Sequence, residues 1–172
     1  PSYVQDYLST SNVKEAVARK MVRRPLFFGG LMVRAGAADA MVGGAACTTA
    51  TFIQAASLTV GFEPGISTPS SFFLMILPEF GGVKDKVLVF ADCAVQIQPT
   101  AQQLAEIGVT TAINAERLLG IKPKVAFLSF STKGSASHAD TDKVIQAVNL
   151  ARQLRPDVTL DGEMQGDAAL VP

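Results

Sequence analysis

Short, unbroken apolar runs, set between turn residues and long helix-like stretches, restrict this chain more than any other feature. Phe72-Phe73-Leu74-Met75-Ile76-Leu77 ends at Pro78, Val87-Leu88-Val89-Phe90 is bounded by polar residues, and Val125-Ala126-Phe127-Leu128 precedes a hydroxyl-rich segment. A strand with one wetted face alternates apolar and polar residues, so runs without alternation predict strands covered on both faces. Helical periods lie between them. From Pro99-Thr100 to Gly120 the residues Ala101, Leu104, Ala105, Ala112, Ile113 and Leu118 form an apolar stripe; Asp140 to Leu154 reads as another helix and Val158-Thr159-Leu160 as a further strand. Alternation of this kind predicts an α/β fold, with a mainly parallel sheet and helices on both faces.

The first third of the chain is patterned differently. A helix is expected from about Asn12 to Arg23, with Val13, Ala16, Val17 and Met21 on one face and Ser11 or Asn12 as cap; Pro1 reads as a helix approach. Pro25 suits a first helical turn, where its missing N–H costs nothing, and Leu26, Phe27, Leu31 and Met32 follow at helical spacing to a stop at Gly36. Ala40-Met41-Val42, Gly43-Gly44 and the stretch from Thr48 read as strand, turn and helix. Gly, Pro and Ser concentrate between Gly61 and Pro69, which predicts a boundary. Residues 1–66 are then part of a first α/β lobe, and 67–172 most of a second, truncated at its C-terminal end.

Charge and cysteine content exclude several classes. Lys plus Arg equals Asp plus Glu at 15 each, so no one-signed field recruits nucleic acid or an anionic membrane. No apolar run approaches the roughly 18 residues of a bilayer-spanning helix. Cys47 and Cys93 lie far apart with no Cys-x-x-Cys or Cys/His cluster, which argues against a zinc site or a disulfide framework and fits a reducing cytoplasm. Charged residues are only 17% of the chain, below the usual ~25%, so part of the surface is expected to face a partner. The expected partners are small molecules or another protein chain. The ending Ala168-Ala169-Leu170-Val171-Pro172 has no polar tail, and the chain is expected to be a fragment.

Ligands of parallel α/β sheets collect beyond the carboxyl ends of the strands, so the loops there hold the candidate chemistry. Gly43 to Thr51 places glycines, Thr48 and Thr49 at a helix start, where free N–H groups and the helix dipole suit a phosphate or carboxylate; an ordinary Thr cap reads equally from the spacing. Ser129 to His138 offers five hydroxyls, Lys133 and Gly134 in ten residues, either a nest of donors for an oxyanion or a solvated loop in which Ser137 or Asp140 caps the next helix. Asp161-Gly162-Glu163-Met164-Gln165-Gly166-Asp167 pairs acids at i and i+2, for a metal or for acid and base work, or simply for a turn; Asp92-Cys93 carries the same ambiguity. Cys47 at a helix start reads as a small buried thiol or as an activated nucleophile. His138, the single histidine, reads as a capping neighbour. There is no phosphate-loop motif, and Gly29-Gly30 is too thin for a dinucleotide fingerprint.

In their order along the chain, these segments resemble the phosphate acetyltransferase (phosphotransacetylase) family, which includes phosphate butyryltransferases. The matching phrases are Arg24-Pro25-Leu26-Phe27-Phe28-Gly29 through Met32-Val33-Arg34, Ala38-Asp39-Ala40-Met41-Val42-Gly43-Gly44 and Thr48-Thr49-Ala50. They continue with Val89 to Val95, Pro99 to Ile107, Leu128 to Ser135 and Asp161 to Ala169. The resemblance implies two α/β lobes flanking a cleft, as in isocitrate and isopropylmalate dehydrogenases, usually in a cytoplasmic homodimer. It implies no cofactor, with coenzyme A as a substrate. The implied reaction, in acetate metabolism, is attack of the coenzyme A thiol on the acyl carbon of acetyl phosphate, releasing phosphate.

By the same resemblance, Thr48, Thr49, Ser129, Ser131, Thr132, Gly134 and Ser135 are the expected substrate-binding residues, with no metal. The family's Asn-Asp-Leu-Ser-Arg-Gly phrase and a following acid, which carry the catalytic residues, are expected beyond Pro172, so the isolated chain is expected to be nearly inactive. Two departures stand out. Gln54 occupies a place where the family commonly has arginine, and Ser9-Thr10-Ser11-Asn12 lacks the usual Arg-Lys-x-Lys-Gly. Alternatives are a phosphate butyryltransferase and a non-catalytic acetyl-CoA-sensing domain of the kind fused to malic enzymes.

Overall fold

The computed structural model describes residues 2–171, so the helix approach expected at Pro1 lies outside the described residues. The chain divides into two compact units, residues 1–65 and 66–172.

Among its described residues the first unit holds four helices, α1 (Tyr3–Leu8), α2 (Glu15–Val22), α3 (Pro25–Arg34) and α4 (Thr49–Thr59). Pro25 occupies the first turn of α3, and α3 ends where Gly36 takes a positive φ of 69°. Helix α2 starts later than its apolar period begins, on an uncapped Lys14, because the Ser11 hydroxyl is spent closing α1 onto the Tyr7 carbonyl at 2.6 Å. The core gathers Tyr7, Ala18, Phe27, Leu31 and Ala55, with edge-to-face pairs Tyr3–Phe28 and Tyr7–Phe27 at 5.2 and 6.0 Å. Arg34 ties the unit together, donating to the Thr10 hydroxyl at 3.0 Å and the Thr59 carbonyl at 2.9 Å. The strand expected at Ala40-Met41-Val42 does not form. Backbone groups in a strand need a partner strand, none pairs with this segment among the described residues, and Val42 is almost fully exposed.

The second unit mixes strands and helices. Strands β1 (Phe72–Phe80) and β2 (Val83–Ala91) form an antiparallel hairpin, paired from Phe72 opposite Ala91 to Phe80 opposite Val83. The two-residue turn Gly81-Gly82 has φ of 58° and 74°, the doubly positive geometry that matches strand twist and that glycine adopts freely. Pro78 does not stop β1: pairing resumes at Glu79 with Lys84, and a two-stranded ribbon has an open edge where a missing N–H is tolerated. These runs are not covered on both faces, since Phe73, Leu74, Met75, Ile76 and Phe90 are exposed.

Helix α5 (Ala101–Leu119) begins at a capping box, Thr100 accepting from the Gln103 N–H and Gln103 from the Thr100 N–H, and ends at left-handed Gly120. Strand β3 (Lys124–Leu128), helix α6 (Ala139–Leu154) and strand β4 (Thr159–Met164) make a parallel strand–helix–strand unit, followed by the short α7 (Gly166–Leu170). Its core is Ala105, Val109, Phe127, Val144, Ala147, Val148 and Ala151. Small residues on α5 and α6 let the helices approach each other and leave room for the Phe127 ring. The described residues therefore form a mixed α/β fold with one antiparallel and one parallel two-stranded sheet, not a single mainly parallel sheet.

Candidate functional site

At the start of α4 the Gly43-Gly44 turn folds back on the helix. Gly43 lies so close to Phe52 that an added Cβ would sit 2.6 Å from the ring, while Gly44 takes φ 128°. Thr48 caps the helix, its hydroxyl accepting from the Thr51 N–H at 3.2 Å and lying 2.9 Å from the Thr51 hydroxyl. The cap reading thus holds for Thr48. The N–H groups of Thr49 and Ala50 and the Thr49 hydroxyl have no partner among the described residues, and all three residues from Thr48 to Ala50 are exposed. This is an open first turn at the positive end of an 11-residue helix. Gln54 is exposed one turn further on, and its place adds no charge.

The Ser129–His138 loop is built the opposite way. All six consecutive N–H groups from Ser131 to Ala136 are spent inside the protein. Ser131 donates to the Ser129 hydroxyl at 3.3 Å, Thr132 to the Ser135 hydroxyl at 3.0 Å, and Lys133 to the Glu163 carbonyl at 3.1 Å. Gly134 donates to Glu163 Oε1 at 2.7 Å, Ser135 to the Thr132 carbonyl at 3.1 Å, and Ala136 to Ser131 Oγ at 3.1 Å. A nest of free backbone donors is therefore absent from 131–136, and what the loop can offer a ligand is side chains. Ser131 is fully buried and donates its hydroxyl to Glu163 Oε1 at 3.0 Å, so neither it nor the Gly134 N–H faces outward. Thr132 is half-buried, Ser135 exposed, and Thr132 Oγ1 accepts from the Gln165 N–H at 2.9 Å, with no acceptor for its own proton among the described residues.

The acids of the last strand diverge. Asp161 pairs with Lys133 and with Arg152 at 3.2 Å, and the Lys133 bond first, then the Gly162 N–H, holds its carboxyl below the usual range. Glu163 turns inward with 2% of its surface exposed. The Gly134 N–H lowers its carboxyl pKa, burial works against that, and the Ser131 hydroxyl and the Lys133 charge add to the lowering. A register shift places it there: Phe127 pairs with Gly162 but Leu128 with Met164, so Glu163 is the extra residue of a bulge. Each acid already has partners, and no group of three or more His, Cys, Asp or Glu among the described residues could hold a metal.

Two further carboxylates organise loops, Asp92, which its place after a strand marked, and Glu106, which no motif marked. Asp92 accepts from the Ser71 hydroxyl at 2.7 Å and from the Ala94 and Val95 N–H groups at 2.8 and 2.9 Å. Burial pushes its pKa up, and these bonds outweigh that and leave it lowered. Glu106, buried on α5, accepts from the Ser67 and Thr68 hydroxyls at 3.0 and 2.9 Å, tying the approach to β1 onto the helix. His138 itself caps α6, its Nδ1 accepting from the Asp140 N–H at 3.1 Å, in place of Ser137 or Asp140. Cys47 and Cys93 are unpaired and partly exposed, and the Cys93 thiol donates to the Phe90 carbonyl at 3.0 Å.

Residues 2–172 match the phosphate acetyl/butaryl transferase family. A phosphate acetyltransferase of Thermoanaerobacterium thermosaccharolyticum is 49% identical over 156 residues, covering 90% of this chain and 47% of that protein. One from Bacillus subtilis is 43% identical over 158 residues, covering 92% and 47%. A solved phosphotransacetylase from Streptococcus pyogenes superposes with a TM-score of 0.86 at 42% identity, over 99% of this chain and 50% of that one. The chain thus spans about half the length of these proteins.

Proposed function

Because this chain belongs to the phosphate acetyl/butaryl transferase family, we propose that it is the substrate-holding part of an enzyme that exchanges an acetyl group between acetyl phosphate and coenzyme A. The thiol sulfur attacks the carbonyl carbon of acetyl phosphate, the new C–S bond forms, the bond from that carbon to the bridging oxygen breaks, and phosphate leaves with this oxygen and takes up the proton given up by the thiol. The protein must hold a phosphate dianion and stabilise charge developing on the carbonyl oxygen. Coenzyme A acts as a substrate and not as a resident cofactor.

The observation that carries this reading is the open first turn of α4, where the Thr49 and Ala50 N–H groups and the Thr49 hydroxyl stay unspent beside the Thr48 cap. An anion at such a turn gains about 0.3–1 kcal/mol from the dipole in water, and up to about 2 when partly buried. Thr132 and Ser135 supply side-chain hydroxyls from their own loop, with Ser129 beside them; Ser131 and Gly134 serve by shaping it. The reading extends, through the family resemblance, to a cytoplasmic homodimer with lobes divided near residue 66. It also extends to a mainly parallel sheet with helices on both faces, like that of isocitrate and isopropylmalate dehydrogenases, with the β3–α6–β4 unit as its seed.

The test is a titration of the isotope-labelled chain with inorganic phosphate and with acetyl phosphate. Shifts at the Thr48–Ala50 amides and at the Thr132 and Ser135 amides are expected, those at Thr48–Ala50 weakened by Thr49→Val, and none of them produced by chloride. Amides at this turn that do not respond to either anion refute the assignment.

A further inference from the structure

We infer that Glu163 is the positioning residue of the Ser129–Ser135 loop, its buried carboxylate acting through Ser131 to set the Thr132 and Ser135 hydroxyls where a substrate anion meets them. This rests on the reading of that loop as part of the substrate site.

Three features single out Glu163 among the acids of the chain. First, the β4 bulge exists at this residue alone: pairing with β3 jumps from Gly162 to Met164, which turns the Glu163 side chain out of the strand register and inward. Second, one oxygen, Oε1, takes both the Ser131 hydroxyl at 3.0 Å and the Gly134 N–H at 2.7 Å, while the Glu163 carbonyl takes the Lys133 N–H at 3.1 Å. Three donors of the loop thus converge on a residue about thirty positions away. Third, the order passes onward. With its own proton given to Glu163, Ser131 Oγ acts as acceptor for the Ala136 N–H at 3.1 Å and lies 3.3 Å from Ser135 Oγ; Ser135 Oγ in turn receives the Thr132 N–H at 3.0 Å. Thr132 is also fixed by the Gln165 N–H, two residues past Glu163. Ser131 and Glu163 are both buried, so water does not replace these bonds when one partner is removed.

A buried carboxylate behind an anion site looks adverse, since like charges repel. It is tolerable here because the charge is met by two direct donors and by nearby Lys133, itself anchored on Asp161 and on the Gly162 carbonyl at 3.1 Å. What the loop gains is shape. Its backbone donors turn inward, and the Thr132 proton is left for a ligand.

The experiment compares the 172-residue chain with Glu163→Ala, Glu163→Gln and Ser131→Ala. Two signals are read: hydrogen exchange of the Gly134 amide, and inorganic-phosphate titration followed at the Thr132 and Ser135 amides. In Glu163→Ala, Gly134 exchange is expected to rise about tenfold or more and phosphate binding to weaken at least about fivefold. Glu163→Gln keeps an acceptor oxygen for both bonds and should stay within about twofold of the wild type on both readouts. A Glu163→Ala chain that keeps Gly134 protection and phosphate affinity overturns the inference, and so does a glutamine variant as damaged as the alanine one. Should the alanine variant fail to fold, Ser131→Ala decides: unchanged phosphate binding at Thr132 and Ser135 removes the relay. A wild-type loop blind to phosphate, with Gly134 protected only when residue 163 can accept, refutes the substrate reading while leaving the positioning role intact.

Discussion

Two glycines pack against Phe127, Gly108 against its ring and Gly162 against its backbone and Cβ, and replacing each by alanine should have unequal consequences. At Gly108 on α5 an added Cβ would lie 2.4 Å from the ring tip. The ring is a side chain and can give, and alanine improves helix propensity by about 1 kcal/mol. Against an overpacking cost of about 1–3 kcal/mol, Gly108→Ala should destabilise the second unit by no more than about 2 kcal/mol. At Gly162 the Cβ would lie 2.7 Å from the Phe127 carbonyl oxygen and 2.8 Å from its Cβ, both fixed by the β3 backbone, and φ is 147°, which L side chains rarely adopt. Backbone strain of about 1–3 kcal/mol adds to a clash that only strand separation relieves, so Gly162→Ala should cost about 3–5 kcal/mol. The unit offers no tryptophan, and both tyrosines belong to the first unit, so urea unfolding is best followed through α5 and α6 amide signals. At about 1.5 kcal/mol per molar, the Gly162 variant loses about 2 M or more of midpoint. A Gly162→Ala chain within 1 kcal/mol of wild type, or one more stable than Gly108→Ala, would refute the packing argument.

Two further outcomes are expected. Thr100→Ala removes the hydroxyl half of the α5 capping box and should cost about 1 kcal/mol, with faster exchange at the Gln103 amide; unchanged exchange there contradicts the cap geometry. Acid should destabilise the chain in a defined window. Asp92, Asp161, Glu163 and Asp157 all have lowered pKa values in the fold, Asp157 to about 2 beside Arg155, so the unfolded chain binds protons first. Stability is then full above the ordinary carboxyl range and falls as pH drops from about 4.5 toward 2. Urea midpoints that stay level or rise between pH 5 and 3 contradict this.

The sequence by itself determined whatever depends on residues within one helical turn or one tight turn. Pro25 opens α3, Thr100 and Gln103 open α5, and Gly120 closes it, because a cap or a positive φ is satisfied by groups three or four positions away. The Gly81-Gly82 turn is equally local, and it converts two runs that read as separate covered strands into one exposed hairpin. Candidate loops were legible too, since hydroxyls and glycines cluster visibly along the chain. Only the tertiary structure decided which of their donors remain available. Thr48 to Ala50 keep an open first turn because, among the described residues of their own unit, no acceptor bonds the Thr49 and Ala50 N–H groups, while the loop after β3 spends its N–H groups on its own hydroxyls and on Glu163, brought beside it by the parallel pairing of β3 and β4 across α6. The same closure turned two nearby acids to different tasks, Asp161 to the exposed Lys133 and Arg152, Glu163 to the buried Ser131. A one-residue bulge separates them, and a bulge is set by long-range pairing and packing that no spacing in the chain records.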